Sequence, residues 1–386
     1  ASTPCAVFLL NAAGSPCYCK FMRVFLFACV AAALCAGAFG AQIGADESGI
    51  TAEAYVSSSR GDDANDGSRD RPFKTFAKIP KKDARIFLRK GDVFYEPLSG
   101  LENCVVDSYG RGKKPLVCGI KYLKNPSAWE DMGGGVWRLD MNKTENFGGR
   151  NPQVSGQTKL VNNLGAIYDS ATDTVHGHKV KKLDMLKDDW DFFAGEEYES
   201  KKINAESFRW LYVKLGRNPS SDGAELGIVT YGNGISGLKN CTVRNVAIKG
   251  FGRHGLTGCR GGRIENLDID LIGGSTQPGY RTWVRLGNGI EFWITGSPES
   301  SGNHNYVSGC TISRTYDCGS TIQGSTEKGE IVARDITFTG NKYYRCRQAF
   351  EHFLTNRAGG KSAYEDCRFV GNFAWESGNN EFSTPE

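Results

Sequence analysis

The sequence predicts an all-β chain wound as a right-handed parallel β-helix, a single-stranded solenoid, and three observations lead there. Glycine makes up 49 of 386 residues while hydrophobic content is only 39%, a balance that favours many short strands joined by turns over long amphipathic helices. Short segments of alternating apolar and polar residues recur through the second half, and a period of two marks a strand. Their recurrence every few tens of residues marks each strand as part of one coil of a stack.

Taken from the N-terminus, residues 1–21 precede Met22 and read as upstream sequence foreign to the fold. Residues 22–41 have the order of a secretory signal: Arg23, the apolar run at 24–40, then small residues such as Ala36, Gly37 and Ala38. The run is short of the roughly 20 apolar residues that span a bilayer and is rich in Ala and Gly, so no stable membrane insertion is expected once the signal is removed. The expected location is secreted, periplasmic or cell-surface. Removing residues 1–40 takes away Lys20 and Arg23 and no acids, so the net charge falls from +4 to +2. That near-neutral balance lacks the basic excess of a nucleic-acid binder. Eight of the 13 cysteines remain, and an even count in an exported chain invites disulfides.

The repeats bear on that point. Cys241-Thr-Val-Arg-Asn-Val, Leu267-Asp-Ile-Asp-Leu, Cys310-Thr-Ile-Ser-Arg, Ile336-Thr-Phe-Thr-Gly and Cys367-Arg-Phe-Val-Gly begin 26, 43, 26 and 31 residues apart. Aligned as coils, they put Cys241, Leu267, Cys310, Ile336 and Cys367 in one inward column, where cysteine acts as a small hydrophobe. A second set aligns on a small residue: Gly255-Leu-Thr-Gly-Cys259, Gly289-Ile-Glu-Phe-Trp293, Gly319-Ser-Thr-Ile-Gln323 and Ala349-Phe-Glu-His-Phe353. With Leu256, Ile290, Ser320 and Phe350 inward, alternation sends Thr257, Glu291, Thr321 and Glu351 outward, followed by a row of Cys259, Trp293, Gln323 and Phe353. His254, Asn288, Cys318 and Gln348 fall at the preceding bend, as a polar ladder for turn amides.

Tyr55-Val-Ser-Ser-Ser-Arg-Gly-Asp-Asp-Ala-Asn-Asp-Gly, then Arg71-Pro-Phe-Lys-Thr-Phe, then Ala84-Arg-Ile-Phe-Leu-Arg-Lys-Gly-Asp-Val-Phe-Tyr95 resembles the opening of secreted bacterial β-helix proteins of the pectate-lyase-like superfamily, and the stretch around Gly287-Asn-Gly-Ile-Glu-Phe-Trp293 is similar to its coils. The resemblance covers most of residues 52–386. It implies the fold far more than a reaction, since that superfamily holds lyases, hydrolases, esterases, epimerases and non-catalytic surface proteins. Within the domain, residues 141–225 lose the period and read as an inserted excursion, containing Asp188-Asp-Trp-Asp-Phe-Phe193 and Arg209-Trp-Leu-Tyr-Val-Lys-Leu215. The chain stops soon after Cys367 begins a coil and shows no recognisable cap, so the C-terminal coils read as cut short.

The chemistry follows from the outward rows. Glu291 and Glu351, two coils apart, have backbones about 9.5 Å apart at ordinary strand spacing, near the separation inverting glycosidases use. Asp317, at the intervening turn beside Tyr316, is a third acid. Trp293 and Phe353 are suited to stacking a sugar ring. A glycoside hydrolase acting on a polysaccharide or oligosaccharide is the leading expectation, with the protein a monomer. A polysaccharide lyase is the alternative, drawing on Arg253, His254, Arg285, Tyr316 and Arg347 to bind and deprotonate a uronic acid; a non-catalytic glycan binder is the third reading. No cofactor is expected, with calcium as the cation if the reaction is elimination. Asp62-Asp-Ala-Asn-Asp-Gly67 lacks the third-position acid and final Glu of a calcium loop and reads as a tight turn. The five histidines, His176, His178, His254, His304 and His352, show no zinc-site spacing, and neither a phosphate-cradling glycine loop nor a GxSxG elbow is present.

Overall fold

The computed structural model describes residues 43–147, 162–194, 208–221, 226–277, 284–297, 300, 302–378 and 381–382. The upstream residues and the signal-like run lie outside them. Among the described residues no helix is long and apolar enough to cross a membrane.

Three parallel ladders form the walls of a β-helix. The first stacks the near half of Leu98–Tyr109, Ile235–Lys239, Leu256–Arg260, Ile290–Ile294, Cys318–Thr326 and Gln348–Asn356. The second stacks the far half of Leu98–Tyr109, Thr242–Arg244, Arg263–Glu265, Asn305–Ser308, Ile331–Thr339 and Ser362–Val370; on the other side of Leu98–Tyr109 it continues through Lys82–Arg89 and Ala52–Val56. The third runs Val93–Phe94, Leu116–Cys118, Ala247–Lys249, Asp268–Ile272, Thr311–Thr315, Lys342–Tyr344 and Phe373–Trp375. Every coil visits the three walls in turn, so side chains of one parity meet in the middle. Val243, Ile264, Val307, Phe338 and Phe369 make one inward column, and Ile248, Ile269, Ile312 and Tyr343 another. The buried hydroxyl of Ser320 is satisfied across the interior by the Tyr343 hydroxyl, 3.1 Å away, which removes the cost of an unpaired polar group in the core.

The five-segment cysteine column is corrected by this register. Ile336 and Cys367 share the second wall with Cys241, whereas Leu267 and Cys310 lie one residue before the Asp268 and Thr311 pair of the third wall. Each coil carries two short strands of equal alternation on either side of a bend, such as the left-handed Asn245 (φ 60°), so a five-residue pattern does not reveal which wall it builds. All eight cysteines from Cys104 to Cys367 are free thiols, and all but Cys367 are buried.

The loop at Asp62 is a set of tight turns: Asp62 accepts from Ala64 N at 2.9 Å and Asp66 from Ser68 N at 3.0 Å, while Asp63 accepts from both Lys74 N and Thr75 N. Pairing turns antiparallel between Lys121 and Thr230, where two four-stranded sheets stand on the solenoid. The antiparallel pairing reaches beyond 141–225, because Lys121–Leu123 and Val136–Asp140 mate with Leu226–Thr230 and Trp210–Lys214. It is pinned to the helix by Ser275 Oγ donating to Asn163 O at 2.7 Å and by Lys179 Nζ donating to Thr276 Oγ1 at 2.6 Å.

Candidate active site

On the first wall, Leu256, Ile290, Ser320 and Phe350 are in register facing in, and Thr257, Glu291, Thr321 and Glu351 are in register on the outer side. The next outward row holds Trp293, Gln323 and Phe353. Both rings are open to solvent, Trp293 at 37% and Phe353 at 40%. Cys259 does not join them and is fully buried. Gly258 (φ 62°) stands over Gly237 (φ 66°) and Gly100 (φ 70°) in the left-handed region, and this extra step turns Leu101, Leu238 and Cys259 inward. The coil from Ile290 has Phe292 at that place, so its alternation is unbroken.

Glu291 is only 8% exposed, and its carboxylate is held by donors from three directions. Thr257 Oγ1 donates to Oε1 at 3.0 Å, while Asn288 Nδ2 and Gln323 Nε2 donate to Oε2 at 3.2 and 2.7 Å. His254, 1% exposed, faces Oε1 with Nε2 at 3.4 Å. Its Nδ1 accepts the Asn288 backbone N–H at 3.3 Å, which assigns the proton of the neutral ring to Nε2. Burial lowers the His254 pKa, with the Glu291 charge opposing. The bend ladder is present here: Asn288 Oδ1 accepts from Cys318 N at 3.2 Å.

The other two acids meet at a thiol. Cys318 Sγ lies 3.7 Å from Asp317 Oδ1 and 3.5 Å from Glu351 Oε2. Placed end to end, these contacts keep the two oxygens within about 7 Å, closer than the backbone spacing of Glu291 and Glu351 implies. The Asp317 carboxyl is pushed above its ordinary range by burial first and then by the Glu351 charge, with Glu291 adding to it and Arg347 pulling the other way. Between Glu291 and Glu351 in the same row, Thr321 Oγ1 is buried without a hydrogen-bond partner. An unpaired buried hydroxyl of this kind is rare enough to need an explanation.

The remaining sequence-derived candidates are placed differently. Arg285 is buried, with Nε donating to Gly274 O at 2.8 Å and Nη2 to Gly165 O at 3.0 Å, and burial lowers its pKa to about 10. It lies over the Tyr316 ring at 4.2 Å and ties the excursion down. Tyr316 is itself buried, packed edge-on against Phe382. Arg253 is half-buried, its guanidinium over Tyr231 at 5.1 Å and its Nε without a partner. Arg347 is exposed. Sequence reasoning missed the pairing of Gln323 with Glu291 and the thiol between Asp317 and Glu351, although both residues were already in the aligned columns. Among the described residues no group of three or more His, Cys, Asp or Glu side chains is arranged to hold a metal ion.

Fold and site together define a parallel β-helix with an acidic, aromatic-edged outer wall. No family model matches the chain, and no curated protein matches it. Solved structures similar to it include XylC in complex with xylose, at 12% identity and TM-score 0.45, covering 83% of this chain and 63% of that one. Another is the GH136 lacto-N-biosidase from Eubacterium ramulus, at 16% identity and TM-score 0.41, covering 84% and 51%. A third, described as a glycoside hydrolase, has 10% identity and TM-score 0.29, covering 82% and 97%. The chain thus spans less than two thirds of the first two.

Proposed function

We propose that the chain is a carbohydrate-active enzyme that hydrolyses a glycosidic bond in a polysaccharide or oligosaccharide, met outside the cytoplasm. The observation that carries this reading is the convergence of Asp317 and Glu351 on one thiol, beside a solvent-open row of Trp293 and Phe353. A carboxyl whose pKa is raised by burial and a neighbouring charge, next to a second carboxyl, is the arrangement that separates acid from base. Asp317 gives its proton to the bridging oxygen as the bond from that oxygen to the anomeric carbon breaks. Glu351 offsets the positive charge growing on that carbon and accepts the proton of the water that adds there, so both products end with a hydroxyl. Glu291, braced by Thr257, Asn288 and Gln323, fixes the negative field on one side, and Thr321 Oγ1 gains a partner when a sugar hydroxyl enters.

Elimination fits less well. Its base must reach a carbon-bound proton, yet of the five candidates His254 and Tyr316 are buried and the Arg285 donors are engaged with backbone carbonyls, which leaves Arg253 and Arg347 as the accessible ones.

The test is a panel of neutral and uronic-acid polysaccharides, followed for reducing ends and for the ultraviolet absorbance of unsaturated sugars. New reducing ends without that absorbance, lost in Glu351→Gln, are expected. Unsaturated product that survives Glu351→Gln would sink the hydrolase reading. Trp293→Ala and Phe353→Ala are each expected to raise KM roughly fivefold with a smaller change in kcat, as suits the loss of about 1 kcal/mol of ring stacking. A fall in kcat at constant KM would place the rings elsewhere in the reaction.

A further inference from the structure

The excursion carries a pocket of about 290 Å³ on the outer face of its second sheet, apart from the acids. Alternation explains the face: Trp129, Leu139 and Leu211 point into the excursion's core, so Glu130, Arg138, Asp140 and Trp210 stand on the other side, in register across three strands. The charges there are largely matched. Arg138 donates to Glu130 Oε2 at 2.5 and 3.1 Å, and Arg209 to Asp140 Oδ2 at 3.0 Å. Both guanidinium groups lie over the Trp210 ring, at 4.3 and 4.7 Å, making a stiff floor. Lys143 and Glu145, exposed and of opposite sign, complete the lining.

A pocket of this size is at the small end for ligand sites, about 300 to 1,000 Å³. An anion would meet acids that offset the basic groups, and a purely apolar ligand would leave carboxylates and amides unpaired at a cost. A neutral sugar satisfies both sets, because each hydroxyl donates to a carboxylate and accepts from Lys, Arg or Asn. We infer that this pocket is a separate binding site for a neutral mono- or disaccharide unit of a glycan, independent of hydrolysis at Asp317.

The test is calorimetric titration and saturation-transfer NMR of the whole chain, carrying Glu351→Gln to block turnover, with cellobiose, xylobiose, lactose and, as the charged probe, digalacturonate. At least one neutral disaccharide is expected to bind. Combining Lys143→Ala with Glu145→Ala should weaken it about tenfold, the loss of one or two hydrogen bonds, with an unchanged melting temperature; Trp210→Ala should abolish it. The inference is overturned if no neutral disaccharide binds, if digalacturonate is preferred, or if binding is lost in Trp293→Ala and untouched by the Lys143 and Glu145 changes. Binding through Trp210 in a chain that hydrolyses nothing would leave this site standing and remove the hydrolase reading alone.

Discussion

On the proposed reading, Asp317→Asn is expected to lower turnover of a glycoside with a poor leaving group by about two to four orders of magnitude, the usual scale for losing a general acid. An aryl glycoside whose leaving group departs without a proton loses far less. The pH dependence sets the sign. Burial and the Glu351 charge raise the Asp317 pKa, so wild-type activity falls as pH rises through that value, and this limb disappears in the Asn variant. Stability moves the same way. Between the ordinary carboxyl pKa and the raised one, the folded chain holds a proton that the unfolded chain has released, so the wild type loses stability as pH rises across the interval. Asp317→Asn is therefore expected to melt higher than wild type at neutral pH, with the advantage gone in acid below the ordinary carboxyl range. A variant that keeps full activity on the poor leaving group, or melts lower at neutral pH, would remove Asp317 from the acid role.

Phe338→Ala is expected to cost about 3 to 5 kcal/mol, the range for emptying a buried aromatic site. The ring is fully buried, with centroids 5.5 Å from Phe292, 5.6 Å from Phe350 and 6.3 Å from Phe369. Solenoid coils touch only their neighbours, so the damage concentrates in the coils that carry Gln348–Asn356 and Ser362–Val370. Activity should then vanish on heating before the rest of the domain melts, because Glu351 rides on the loosened coil. Coincident loss of activity and of global β signal would show that the stack unfolds as one unit.

The walls of the site were legible where the chain alternates without interruption. Ile290–Ile294 and Cys318–Thr326 keep a strict period, and Glu291, Thr321, Trp293 and Gln323 fell in their observed rows. Cys259 did not, because a left-handed glycine inside a strand shifts the parity with no change in hydrophobic pattern. Asp317 was visible only as an acid at a turn, since alternation says nothing about where a bend residue points. Cys318 reads in sequence as one rung of the bend ladder, and its contact with the Glu351 carboxylate depends on the next coil. The full reach of the excursion's antiparallel pairing was hidden for a similar reason: Lys121–Leu123 finds its partner in Leu226–Ile228, a long-range match without a local signature.

That excursion also sets an order of assembly. Asp107 and Arg244, on adjacent strands of the stack, are 137 residues apart in the chain, whereas Arg334 and Glu365, equally adjacent, are 31 apart. Closing the longer loop costs about 1 kcal/mol more in chain entropy, and its contacts come late because they are far apart in sequence. The coils from Leu256 to Asn356, which hold Glu291, Asp317 and Glu351, zip up from local pairings, and the seam between Leu98–Tyr109 and Ile235–Lys239 is the last to shut. Pulse-labelled hydrogen exchange during refolding should protect Ile290–Ile294 and Cys318–Thr326 before Leu98 and Gly119, whose N–H groups donate across the long-range seam to Gly234 O and Lys249 O; the reverse order would place nucleation at the seam. The half that carries Glu291, Asp317 and Glu351 is thus its own folding template, and the inserted sheets are a delay line that joins the two halves only after that wall has formed.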